Sequence, residues 1–250
     1  MGVEDQNVGA AGGDADYCEK LVRRRDEDRW LSAQYAPAAV REKLIAIYAL
    51  HQEICQIPAA VSEPPLGEIR LQWWREALEE IVAGSPVRAH PVVGYAAAVG
   101  AITAANKQMI DTAIDARAHL LYGEPFATVD AFWAWLDQAE GYLAAARMSY
   151  GDGEPAPTQE DHAALVRAES AFSAGRDAGD LSKTFAGEIL AGVHKPQAAV
   201  RPLIKAMSAE AGAMHLHLTL IGLRSSGAHG PFTALQKRVR LFKAMLTGRI

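Results

Sequence analysis

From Tyr17 onward, apolar positions recur at three- and four-residue intervals along most of the chain, the spacing that gathers them on one face of an α-helix. A first helix is predicted from near Tyr17 through Arg23-Arg24-Arg25 to about Gln34. Pro37 suits the first turn of the next, because proline there gives up a donor with no intrahelical partner. That helix reaches about Ile57, with Val40, Leu44, Ile47, Tyr48 and Ile54 on one side, and Pro58 stops it. Residues 62–65 form a turn, and residues 66–83 are amphipathic, with Ile69, Trp73, Ala77 and Ile81 as one stripe. After a Gly/Ser/Pro loop, helices are predicted at about 92–105, 107–121 and 128–149. The run GDGEPAP at 151–157 is the clearest loop, dense in turn formers. Thr158 then caps a helix, with Asp161 three residues on in place of the usual Glu. Helices continue to Ala174 and over 182–192, 196–210 and 211–224, and a turn at 225–231 precedes a basic tail helix. No strand alternation persists and no internal repeat occurs. The pattern is that of an all-α, single-domain bundle of many helices over residues 16–250. The acidic, Gly/Ala-rich residues 1–15 are expected to be a disordered leader.

Composition agrees: half the residues are apolar, with much Ala, which loses no side-chain entropy in a helix. A net charge of −5 argues against a general nucleic-acid binder, which would carry a basic field. Two cysteines, Cys18 and Cys55, make no disulfide scaffold and point to a reducing compartment. No stretch reaches the roughly 18 apolar residues of a membrane span; residues 91–105 and 211–223 come nearest and read as buried helices.

Common catalytic patterns are absent. Gly151-Asp152-Gly153 follows a helix and opens onto prolines, the wrong setting for a phosphate loop. Ser173 lacks the leading glycine of a nucleophile elbow. His215 and His217, two apart, point about 200° away from each other on a helix, so they read as packing or surface histidines rather than a metal pair.

The region 28–82 is more specific. Tyr35-Ala36-Pro37, Arg41 and Ala46-Ile47-Tyr48-Ala49-Leu50, with Trp74-Arg75-Glu76-Ala77-Leu78, resemble the opening helices of the squalene/phytoene synthase family, and residues 231–250 resemble its tail. The resemblance implies an isoprenoid-synthase-like fold. Active members join two prenyl diphosphates between two Asp-rich helices that hold Mg²⁺, because a departing diphosphate needs divalent cations on hard oxygen ligands. Here the first Asp-rich motif falls on Cys55, Gln56 and Ala59, none of which replaces a carboxylate. Glu53 lies on nearly the opposite helix face, and Glu63 follows Pro58. The second motif survives as a remnant, Arg176-Asp177 with Asp180, and the Arg-Gly-Arg segment that should follow is replaced by Thr184-Phe185-Ala186. Asp177 and Asp180 are the remnant catalytic candidates.

Ser62-Glu63-Pro64, Gly67-Glu68, Arg70 and Gln72-Trp73-Trp74-Arg75 resemble a branch that lacks the catalytic aspartates and whose mitochondrial members assist assembly of respiratory complex I. The resemblance implies a catalytically degenerate binding or assembly factor with no cofactor. The alternative is an active transferase using Mg²⁺. Binding or cavity-lining roles fall to Arg41, Tyr48, Gln52, Glu68, Gln72 and Arg75. Glu68, Gln72, Arg75 and Glu79 share one face; two adjacent tryptophans facing different sides favour a buried polar seam over a solvated face. The implied partners are a prenyl or lipid ligand, a respiratory-complex subunit and a peripheral membrane contact through 236–250, with no nucleic acid. The implied location is cytoplasmic, at the inner membrane face. In the tail, Val239, Phe242 and Leu246 set against Lys237, Arg238, Arg240 and Lys243 suit either an anionic membrane surface or closure of the bundle.

Overall fold

A computed structural model describes the backbone of residues 4–150, 158–181, 186–192, 194–221 and 231–247. Among the described residues the chain forms twelve α-helices and two 3-10 helices, with no strand. The predicted loop at 151–157 and most of the turn at 225–231 lie outside them. The contacts gather into two compact units that alternate along the chain, Met1–Trp30 with Ala38–Gly123, and Leu31–Pro37 with Glu124–Ile250. Residues 31–37 of the second unit interrupt the first, and the chain passes to the second unit again at the non-helical residues 123–128.

The first unit is built on α3 (Ala38–Ala60), which follows α1 (Glu4–Arg25) and α2 (Glu27–Ala33). Every residue of α3 from Leu44 to His51 is buried, so its middle is covered on all sides rather than on one stripe. Pro58 does not stop this helix, which runs two residues further to Ala60. Helix α4 (Pro64–Val82) begins with Pro64 and Pro65, whose missing N–H groups fall where the helix has no acceptor for them. It ends at Ala83, followed by Gly84 at φ 64°.

Helix α5 (Pro91–Ala98) is shorter than predicted, because Gly100 turns the chain at φ 63° and Thr103 caps α6 (Ala104–Ala118). The Thr103 hydroxyl accepts from the Asn106 N–H, and the Asn106 side chain accepts from the Thr103 N–H. A 3-10 helix, His119–Tyr122, closes the unit, and its Leu121 seats against Gly67 of α4.

At the N-terminus the structure replaces the expected leader with helix from Glu4 onward. Helix α1 packs on α5, with the Asp14 carboxylate close to the α-carbon of Gly94.

In the second unit, α7 (Val129–Tyr150) packs on α8 (Gln159–Leu181), which starts with the predicted capping box. Thr158 Oγ1 accepts from the Asp161 N–H at 3.1 Å, and Asp161 Oδ2 accepts from the Thr158 N–H at 3.0 Å. Phe132, Trp135 and Phe126 form an aromatic cluster at one end of α7. Helices α9 (Ala186–Gly192), α10 (His194–Ala206) and α11 (Ala209–Ala213) follow. Where one helix was predicted over 211–224, Ser208 caps the short α11 and a 3-10 helix, Leu216–Leu220, takes over. Helix α12 (Pro231–Thr247) packs on that turn and on α11. No helix among the described residues is long and apolar enough to cross a membrane.

Candidate functional site

Helix α3 carries the positions that the sequence singles out, and its pitch sends them in different directions. Tyr48 is fully buried, with the guanidinium of Arg29 5.9 Å from its ring centroid. Arg29 is itself buried and paired with Asp26 at 2.6 Å, both side chains wholly excluded from solvent. A buried charge persists only when paired, so this Asp-Arg couple is part of how the start of α2 is held. Arg41 and Gln52 are half-buried.

At the degenerate motif, Cys55 Sγ lies 3.4 Å from Nε2 of His51, one turn earlier and buried. Gln56 donates from its amide to Glu53 at 2.6 Å. Glu53 also accepts from the Tyr17 hydroxyl at 2.8 Å; burial, then this bond to the carboxylate, pushes that phenol up to about 12. Ala59 is exposed. Octahedral Mg²⁺ needs oxygen ligands at close to ideal positions. A thiol beside an imidazole, an amide tied to its neighbour and a methyl group do not fit it.

Glu53 and Gln56 face a cleft of about 480 Å³ between α3 and α4. Its other walls are Ile57, Ala60, Ile69, Arg70, Trp73, Trp74 and His90. His90 caps α5, with Nδ1 accepting from the Val92 N–H at 3.2 Å. Its ring meets both tryptophans edge-on, at centroid distances of 5.6 and 5.0 Å. Burial pushes the His90 imidazole below its ordinary range, which suits a neutral ring acting as acceptor in that cap. The cleft thus combines two tryptophans and a histidine with one carboxylate, Glu53, and one guanidinium, Arg70.

The polar face of α4 is solvated, not the buried seam that the adjacent tryptophans suggested. Glu68, Gln72 and Glu79 are exposed and Arg75 is half-buried. They make surface pairs: Glu68 accepts from the Tyr122 hydroxyl, Gln72 donates to Glu76, Arg75 pairs with Asp115, and Glu79 with Lys107. The inference failed because adjacent residues on a helix stand about 100° apart. One covered sector therefore holds both rings, Trp74 buried and Trp73 half-buried beneath Arg88, whose guanidinium lies 5.3 Å from the Trp73 ring. Arg23, Arg24 and Arg25 are exposed.

Asp177 and Asp180 lie on α8, but their side chains fall outside the described residues, as does the segment around Thr184-Phe185. Two to three turns earlier, α8 enters a buried polar network that the sequence did not announce. Glu169 is paired with Arg147 of α7 and accepts from Nε2 of His217 at 3.0 Å. Arg147 also donates from Nε to Nδ1 of His215 at 3.3 Å. His217 receives the edge of Phe172, and its backbone N–H donates to Ser32 at 3.1 Å. Burial, then the Arg147 charge, holds His215 well below the usual imidazole range, so it stays neutral and accepts. Next to this network, Ser173 donates to buried Glu140 at 2.6 Å. The two histidines serve packing through a buried network, and no metal-pair geometry is needed to account for them. Polar residues spaced through amphipathic helices are expected on solvent, and only the long-range pairing of α7, α8 and the 3-10 helix brings these inside.

The squalene/phytoene synthase family model matches residues 22–164, more than half of the chain. A bovine protein named NADH dehydrogenase (ubiquinone) complex I, assembly factor 6, is 35% identical over 79 residues, 32% of this chain and 23% of that protein. The human protein of the same name is 33% identical over 89 residues, 34% of this chain and 27% of its own length. The matched segment thus spans about a quarter of these curated relatives. A crystal structure of a dehydrosqualene synthase in complex with ligand superposes with a TM-score of 0.68 at 10% identity. That superposition covers 96% of this chain and 99% of the synthase, the isoprenoid synthase fold expected from the sequence. With the family model matching more than half of the chain and the fold in agreement, the chain belongs to the squalene/phytoene synthase family.

Proposed function

We propose that this chain is a catalytically degenerate member of its family that acts as an assembly-type factor for respiratory complex I. The observation that carries the reading is the first Asp-rich position on α3. There Cys55, Gln56 and Ala59 stand where metal-holding carboxylates would be, and Cys55 and Gln56 are committed to His51 and Glu53. The names of the bovine and human relatives support the assembly role. The reading extends to a respiratory-complex subunit as partner, a prenyl or lipid ligand in a cavity retained from the family, no cofactor, and a place on the cytoplasmic side of the inner membrane. Deleting the gene and resolving membrane complexes on a native gel tests it. Loss of assembled complex I, restored by the wild-type chain, is the expected result; normal complex I level and activity would overturn it.

A further inference from the structure

The last helix decides between the two uses that its sequence left open. Leu241 and Ala244 of α12 are buried and attach it to the rest of its unit. The residues that would have closed the bundle are elsewhere. Leu235 is 62% exposed, Val239 55%, Phe242 51% and Met245 40%. At about 100° per residue, Leu235, Val239 and Phe242 fall within about 60° of one another, and roughly 150° round from Leu241 and Ala244. The apolar stripe therefore faces away from the helix's own core.

The charges complete the pattern. Arg238 and Lys243 sit on the two flanks of the stripe and Arg240 beyond, all exposed. None of these three makes an ion pair with another described residue. Residues 231–250 contain five Lys and Arg and no Asp or Glu, leaving 20 basic against 30 acidic residues, net −10, in the other 230. A basic end on an acidic chain is a local device rather than a general property of the surface.

We infer that α12 docks on an anionic lipid bilayer, lying in the plane of the headgroups with Leu235, Val239 and Phe242 inserted. Arg238 and Lys243 are placed to reach lipid phosphates on either side, their stems covering apolar surface. The chemistry favours a bilayer over the rivals. Nucleic acid would leave the three large apolar side chains of the stripe in water, and a protein groove would leave the flanking cations to find separate partners. The inference rests on the proposed assembly role only in placing the chain at a membrane.

The test is co-sedimentation of the full-length protein with vesicles of phosphatidylcholine, with and without phosphatidylglycerol. Binding to the anionic vesicles, weakened by salt and absent on phosphatidylcholine alone, is expected. Replacing Arg238, Arg240 and Lys243 together by Gln should weaken it roughly fivefold per charge at low salt, on the order of a hundredfold. Val239→Ser with Phe242→Ser should abolish pelleting while leaving thermal unfolding unchanged, since both side chains are exposed. No binding, equal binding to both vesicle types, or wild-type binding by both variants would overturn the inference. Self-association through the same residues in place of lipid binding would overturn it too. A deletion strain with normal complex I would instead remove the assembly role and leave the vesicle result standing.

Discussion

Replacing Glu169 by Gln should be among the most destabilising single changes available in the second unit. The side chains of Glu169 and Arg147 are both 0% exposed, and Glu169 is the carboxylate that balances the Arg147 guanidinium in this network. Gln keeps the shape and an acceptor but removes the negative charge of this buried ion pair. Breaking a buried pair in this way costs about 3–5 kcal/mol. For a chain of this size each kcal/mol lowers the melting temperature by roughly 2–4 °C, so a drop on the order of 10 °C is expected. Urea unfolding followed by tryptophan fluorescence and far-UV circular dichroism would measure it. Arg147→Met combined with Glu169→Leu removes both charges, and should recover at least half of the loss although His217 loses its acceptor. A Glu169→Gln protein within about 1 kcal/mol of wild type would refute the claim that the pair is a structural necessity. A double variant no better than the single one would refute the charge-balance explanation.

His215 makes stability depend on pH. It is neutral in the folded chain, held well below its ordinary value of 6.5, so below that pH the unfolded chain takes up a proton that the native one refuses. Stability should then fall by about 1.4 kcal/mol per pH unit from 6.5 downward, a slope that flattens in His215→Asn; an unchanged slope would clear His215. A methyl group at Gly67 would lie 2.2 Å from Cδ2 of Leu121 and 3.1 Å from its Cγ. Gly67→Ala should therefore turn the half-buried Leu121 side chain aside and, with better helix propensity in compensation, change stability by no more than about 1 kcal/mol; a loss above that in thermal unfolding would show that Leu121 cannot move. Cys18 is buried, and desolvation pushes its thiol up to about 12; it should resist a disulfide reagent at pH 8 until the protein is unfolded.

The helical architecture was open to reading because Ala-rich amphipathic stretches and local stops speak directly about backbone. Thr158 starts α8 through a capping box contained in four residues, whereas α4 begins at Pro64, inside the predicted turn, and Thr103, inside a predicted helix, caps α6. Where the sequence misled, the deciding contact was distant. Pro58 reads as a stop only if nothing rewards two more helical residues, and the leader reads as disordered only if α5 is not known to receive it. The site divides in the same way. That Cys55, Gln56 and Ala59 carry no carboxylate is a property of residue identity and could be seen at once. The solvated face of α4 and the Arg147-Glu169-His217 network depend on which helices meet, and spacing within one helix carries no record of that. For α12 the periodicity correctly drew an apolar stripe, and only packing could say that it points outward.

The claim at the centre of this account is that the family's chemistry has been given up. Incubating the purified chain with farnesyl or geranylgeranyl diphosphate and Mg²⁺, and following pyrophosphate, tests it most directly. No release above the protein-free blank is expected. Release that disappears in Asp177→Asn would contradict it, by showing that the remnant motif on α8 still works.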